Sequence, residues 1–97
     1  MFFPRCDPRS PMPEISRFYG IVIQMYYGDH APPHFHALYG GAVVKIAIGT
    51  LEIMDGTLPA RALRLVLEWA AQHREELLAA FQRAALLEAP GKIAPLE

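Results

Sequence analysis

The sequence predicts an α+β domain: a four-stranded antiparallel meander sheet covered on one face by a long C-terminal helix. Three observations carry this expectation. Short runs of β-branched and aromatic residues fill the first half. Glycine-containing turns separate those runs. The second half repeats apolar residues at helical spacing. The strand–helix alternation of a parallel sheet is missing.

The first strand is read from Ile15 to Tyr27, through Phe18, Tyr19, Ile21, Val22, Ile23 and Met25, with Gly20 as a bulge or bend. Gly28-Asp29-His30-Ala31-Pro32-Pro33 is the connection. His34 to Tyr39 is the second strand, and Gly40-Gly41 a two-residue hairpin loop. Ala42 to Ile48 is the third strand, Gly49-Thr50 the next tight turn, and Leu51 to Met54 the fourth strand. Asp55-Gly56 ends the sheet. With Gly40-Gly41 as loop residues, Tyr39 faces Ala42, Ala37 faces Val44 and Phe35 faces Ile46. His36 then pairs with Lys45 and His34 with Ala47, and Glu52 lies beside Ala47. His34, His36, Lys45 and Glu52 therefore share one face, and Phe35, Val44, Ile46, Ile48 and Ile53 the other. A one-residue slip would bury the histidines and expose the isoleucines.

The helix opens with Thr57 as N-cap and Pro59 in the first turn. Ala62, Leu63, Val66, Trp69, Ala70, Leu77, Ala80, Phe81 and Ala84 form its apolar stripe, and Arg61, Arg64, Glu68, Gln72, Glu75 and Gln82 its wet side. The pattern runs to about Leu87, as one helix or with a single break. Pro90-Gly91 ends it, and Lys92 to Glu97 is an irregular tail. The helix is expected to cover the apolar sheet face and leave the histidine face open.

The chain has 97 residues, enough for one small domain. Residues 1–11 are proline-rich and without periodicity, and are read as a flexible arm or a start-site extension. Residues 12–97 are then a single domain with Met12 as its natural start. Hydrophobic residues make up 53%, charged residues 20%, and the net charge is −1. No global field draws in nucleic acid or an anionic membrane. The single cysteine, Cys6, permits no internal disulfide. No apolar run approaches ~18 residues, so a membrane span is not expected and the cytoplasm is the default location.

Chemistry concentrates in Asp29-His30-Ala31-Pro32-Pro33-His34-Phe35-His36. Histidine is the commonest metal ligand and titrates near neutrality. As a metal site, His34 and His36 supply two imidazoles, His30 folds back as a third, and Asp29 or Glu52 supplies oxygen. That donor set suits a divalent metal such as zinc, nickel or iron. As acid–base machinery, His34, His36 and His30 serve as base and acid for RNA cleavage, with Lys45 or Arg17 as the cation. Tyr19, Tyr26, Tyr27 and Tyr39 can stack bases, and Tyr26 and Tyr27, which precede the site loop, can line a pocket, with one of the two in the core. Arg61 and Arg64 at the helix start can hold a phosphate, or remain solvated with Arg64 near Glu68. Against both readings, the histidines can simply pack on neighbouring tyrosines. His73, between Trp69 and Leu77, is read as a core histidine bonded to a backbone carbonyl.

Ile15-Ser16-Arg17-Phe18-Tyr19-Gly20-Ile21, Asp29-His30 through Pro32-Pro33-His34-Phe35-His36 with Tyr39-Gly40, and Leu58-Pro59 through Arg61-Ala62-Leu63 to Glu68-Trp69 together resemble a family of small bacterial proteins. That family is known as a domain of unknown function, and the likeness runs from Met12 nearly to the end. The resemblance implies a partner more than a mechanism. Members are often encoded beside a second small protein, in toxin–antitoxin-like pairs, so a small protein from the adjacent gene is the expected partner. A rival reading makes the histidine face a non-catalytic surface that docks this partner. The free edges and open face of a small sheet also suit a homodimer.

Overall fold

The structure, a computed structural model, describes residues 13–97. The arm read over residues 1–11, the start at Met12 and Cys6 lie outside them. Five strands form an antiparallel meander in the order β1 (Glu14–Phe18), β2 (Ile21–Gln24), β3 (His34–Tyr39), β4 (Ala42–Ala47) and β5 (Ile53–Gly56). Two helices follow, α1 (Ala60–Gln72) and α2 (Arg74–Ala85). Among the described residues no helix is long and apolar enough to cross a membrane.

The sheet has one strand more than the sequence reading. Ile15–Tyr27 is not one strand but a hairpin that turns at Tyr19-Gly20. Both residues have positive φ, 51° and 80°, with Phe18 opposite Ile21. Consecutive left-handed residues give the turn whose twist matches a hairpin. Tyrosine in that region is uncommon, which is why the sequence reads as continuous β.

The β3–β4 register follows the hydrophobic pattern. Tyr39 faces Ala42, Ala37 faces Val44, Phe35 faces Ile46, His36 faces Lys45 and His34 faces Ala47. The next turn is wider than Gly49-Thr50. The Ala47 N–H donates to the Glu52 carbonyl, and the Leu51 N–H to the Ala47 carbonyl. Leu51 takes the left-handed position at φ 61°. A bulge between Lys45 and Ile46 then re-aligns β5. Ile53 pairs with Ile46 yet is 46% exposed, because β5 is the outer strand and the helices do not reach over it.

The long helix breaks once, at His73. α1 buries Ala62, Val66, Trp69 and Ala70, and α2 buries Leu77, Ala80, Phe81 and Ala84. Trp69 is the hub, with ring centroids 5.3 Å from Phe18 and 5.9 Å from Phe35. Thr57 is not the cap. Pro59 holds that position, and its carbonyl accepts the Leu63 N–H. The His73 side chain meets Glu76 Oε1 at 2.6 Å rather than a backbone carbonyl. The segment Lys92–Glu97 is a strap. Its Ile93 N–H donates to the Ile15 carbonyl, its Ala94 carbonyl accepts the Trp69 indole N–H at 2.8 Å, and Ile93 and Leu96 join the core.

Candidate metal centre

The candidate site lies where the β2–β3 connection meets the start of β3. The connection is pinned to α2, since the Gly28 N–H donates to the Ala84 carbonyl at 2.9 Å. Asp29 is held by both of its oxygens. Oδ1 accepts the His30 backbone N–H at 2.9 Å, and Oδ2 lies 2.7 Å from His34 Nε2. On the other side of the ring, His34 Nδ1 lies 2.7 Å from the Pro32 carbonyl. A carbonyl only accepts, so Nδ1 carries a proton and donates. In the neutral ring Nε2 then presents a lone pair toward a carboxylate. A cation must stand between these two atoms, either a proton or a metal.

His34 does not lie on an open face. Its relative exposure is 3%, and its ring packs against Phe81 of α2 at 5.6 Å. The expected open histidine face is closed at this end, because Phe81 of α2, the helix that begins after the break at His73, packs against the ring. His36 is half-buried. Its ring stacks on Tyr26 at 4.3 Å and meets His34 edge-on at 5.4 Å. Its Nδ1 is buried without a hydrogen-bond partner. Buried polar atoms are nearly always paired, so this one is an anomaly that a ligand would resolve.

Asp29, His34 and His36 each place one donor atom within 4.8 Å of the others. The electrostatics favour ligand forms. Burial pushes the Asp29 carboxyl up, but the His30 N–H, the His34 ring and the Lys45 charge outweigh it, and the carboxyl is held below its ordinary value. Burial, then the neighbouring His34 and Lys45, push the His36 ring below its ordinary value against the opposing pull of Asp29. His36 is therefore neutral near pH 7, with a lone pair free for a cation.

The sequence-based donor set is corrected in two places. His30 is exposed and gives the cluster its backbone N–H, not its ring. Glu52 is exposed and lines a separate groove with Pro32, Ile48, Ile53 and Leu78. Neither belongs to the three-residue cluster. Lys45 pairs with His36 across the sheet, as expected. The substrate-binding set is dispersed. Arg17 is engaged by Glu14 at 2.7 Å on the far edge strand. Tyr39 and Arg61 line a cavity of about 210 Å³ with Tyr19, at the sheet end opposite the cluster. Arg64 is exposed on α1, and Tyr27 is half-buried in the connection.

Sequence reasoning named Tyr26 as a ring beside the site loop, and it stacks on His36; two other contributors, Phe81 as a cover for His34 and the Pro32 carbonyl, were missed. Tyr26 lies two residues beyond Gln24, the β2 partner of His36, which places its ring within reach of that histidine. Phe81 and the Pro32 carbonyl left no such signal.

A family model described as a domain of unknown function, DUF4160, matches residues 20–82. That span contains Asp29, His34, His36, Lys45 and Phe81, and is narrower than the likeness from Met12 onward. No curated protein and no solved structure matches. With nearly two thirds of its length matched, the chain belongs to the DUF4160 family of domains of unknown function.

Proposed function

We propose that this protein binds a divalent metal ion through Asp29, His34 and His36. The observation that carries this reading is the convergence of three donor atoms within 4.8 Å of one another, beside a buried His36 nitrogen that has no partner. His34 Nε2 and Asp29 Oδ2 face each other at 2.7 Å, while His36 Nδ1 is buried and unpaired nearby. The Pro32 carbonyl plays the supporting part typical of metal sites, fixing the tautomer and orientation of a ligating histidine through its other nitrogen.

Two imidazoles and a carboxylate suit zinc, and equally the iron or nickel class of divalent ion. In a tetrahedral zinc site, neighbouring donors about 2.0–2.1 Å from the ion stand roughly 3.3 Å apart. The 2.7 Å pair must open by a few tenths of an ångström, which a side chain on the connection permits. Among the described residues three protein donors converge, and a three-donor site leaves a coordination position for water or substrate, the arrangement of reactive rather than purely structural sites.

Equilibrium dialysis of zinc against the purified chain tests the reading. The expected result is one zinc per chain, lost in His36→Ala. No bound zinc, or equal binding by His36→Ala, overturns it.

A further inference from the structure

We infer that the metal position opens onto an oxyanion subsite, in which Lys45 and Gln24 flank His36 and hold the phosphoryl or carboxylate group of a substrate. The inference rests on the metal reading above and names the class of ligand that completes it.

The geometry comes from the sheet. Antiparallel pairing places Gln24 of β2 opposite His36 of β3, and His36 opposite Lys45 of β4. Directly opposed residues project from the same face with Cβ atoms about 4.5–5.5 Å apart. The three side chains therefore form one row on the face away from the Trp69 core, and each is half-buried. Phe81 and the connection close the His34 end of this face.

Charge decides what can enter. A divalent ion held by one carboxylate and two neutral imidazoles keeps one uncompensated positive charge. Lys45 adds another. Among the described residues Lys45 forms no ion pair, and Asp55, its exposed partner on β5, does not close on it within salt-bridge distance. On the opposite flank Gln24 offers amide N–H donors. Glu14, the next residue along the row, is already engaged by Arg17. A ligand that reaches the metal therefore meets a Lewis acid, an ammonium and an amide donor. An oxyanion satisfies all three, and a neutral or cationic group does not. Tyr26, stacked on His36 and 39% exposed, adds a ring face beside the row.

Inorganic phosphate and acetate are the probes, one for each source of the oxyanion. Each is titrated calorimetrically into zinc-loaded protein freed of excess zinc, for the native chain, Lys45→Met and Lys45→Arg. The native chain should bind at least one of the two anions. Lys45→Met should retain one zinc per chain and the native melting temperature while losing about tenfold or more in anion affinity. That is the range expected for one charge contact between water-like and protein-surface screening. Lys45→Arg should recover most of it. Preference for phosphate assigns a phosphoryl substrate, and preference for acetate a carboxylate. Zinc binding without binding of either anion, or equal anion affinity in Lys45→Met, overturns the subsite while leaving the metal site standing. Absence of zinc binding overturns both.

Discussion

Replacing Asp29 separates the two demands that meet at its Oδ2. In the metal-free protein that oxygen partners a ring that is nearly inaccessible, with a side-chain exposure of 2% for His34 against 23% for Asp29. Asp29→Asn keeps an acceptor and a donor within reach of Nε2, so the neutral His34 ring stays hydrogen-bonded. The expected loss is about 1 kcal/mol or less, the size of one ordinary hydrogen bond. Asp29→Ala leaves a buried ring nitrogen with no partner. An unsatisfied buried group costs about 1–3 kcal/mol. For a domain of this size each 1 kcal/mol moves the melting temperature by roughly 4–8 °C. The two variants should therefore separate clearly in thermal melts with chelator present. Zinc adds the second axis. A ligand at one hundred times its dissociation constant stabilises the native state by about 2.7 kcal/mol, enough to raise the native melt by some 10–20 °C. Neither variant should show that rise, because both remove the carboxylate of the three-residue cluster. If zinc raises the melt of either variant as much as it raises the native melt, Asp29 is not a ligand. If Asp29→Ala melts with the native protein under chelator, the buried pairing of His34 has no energetic weight.

Three further outcomes follow from other parts of the fold. The metal-free protein should lose stability on acidification in two stages, read from urea midpoints against pH. His36 has a lowered ring pKa, so the unfolded chain takes up the proton first as the pH falls below about 6.5. Asp29 has a lowered carboxyl pKa, so its contribution is lost at lower pH, as the medium falls through and below about 3.8. His36→Phe should remove the His36 part of the upper stage and leave the lower. Ile93→Ala should cost about 2–5 kcal/mol by denaturant unfolding, because it empties a core position in the strap, whereas Leu86→Ala, 71% exposed, should stay within about 0.5 kcal/mol. Gly56→Ala should prevent native folding or cost more than about 4 kcal/mol, since its Cβ would lie 2.1 Å from the Val43 carbonyl oxygen at a φ of 73°. Gly40→Ala, at φ 59° with nothing within 4 Å, should cost only the left-handed penalty of about 1–2 kcal/mol. Equal midpoints for the two glycine variants would overturn this reading of the close approach between the end of β5 and Val43 of β4.

What the sequence made legible was local or periodic. A two-residue side-chain period and a Gly-Gly loop were enough to set the β3–β4 register. That register in turn put His34 and His36 on one face beside Lys45. The Tyr19-Gly20 turn was hidden because tyrosine is a strong strand former, and its left-handed backbone is imposed by the pairing on either side. The strap was hidden for a different reason. Its contacts with Ile15 and Trp69 join residues far apart in sequence, and no periodicity in six residues announces such a contact. The break at His73 involves neither proline nor glycine. It shows only in the geometry, where Phe81 of α2 packs against His34.

That break bears directly on the site. Of the three donors, His34 and His36 sit on a central strand whose alternate residues Phe35 and Ala37 are wholly buried, while Asp29 sits on a connection tied to α2 through Gly28 and Ala84. A donor set split between a rigid strand and a helix-anchored connection is brought together only when α2 is docked. Metal binding is then linked to the docking of α2. Phe81→Ala illustrates the linkage. It removes the ring that covers His34 without touching a donor atom. By cavity formation it should cost about 3–5 kcal/mol in chelator. Because the docked state becomes less populated, the apparent zinc affinity should fall by the same fraction. In dialysis, Phe81→Ala should therefore still reach one zinc per chain, at a higher free zinc concentration. A fall in the stoichiometry itself under saturating zinc, with the chain still folded, would mean that Phe81 shapes the donor set directly and that docking and binding are not linked in this way.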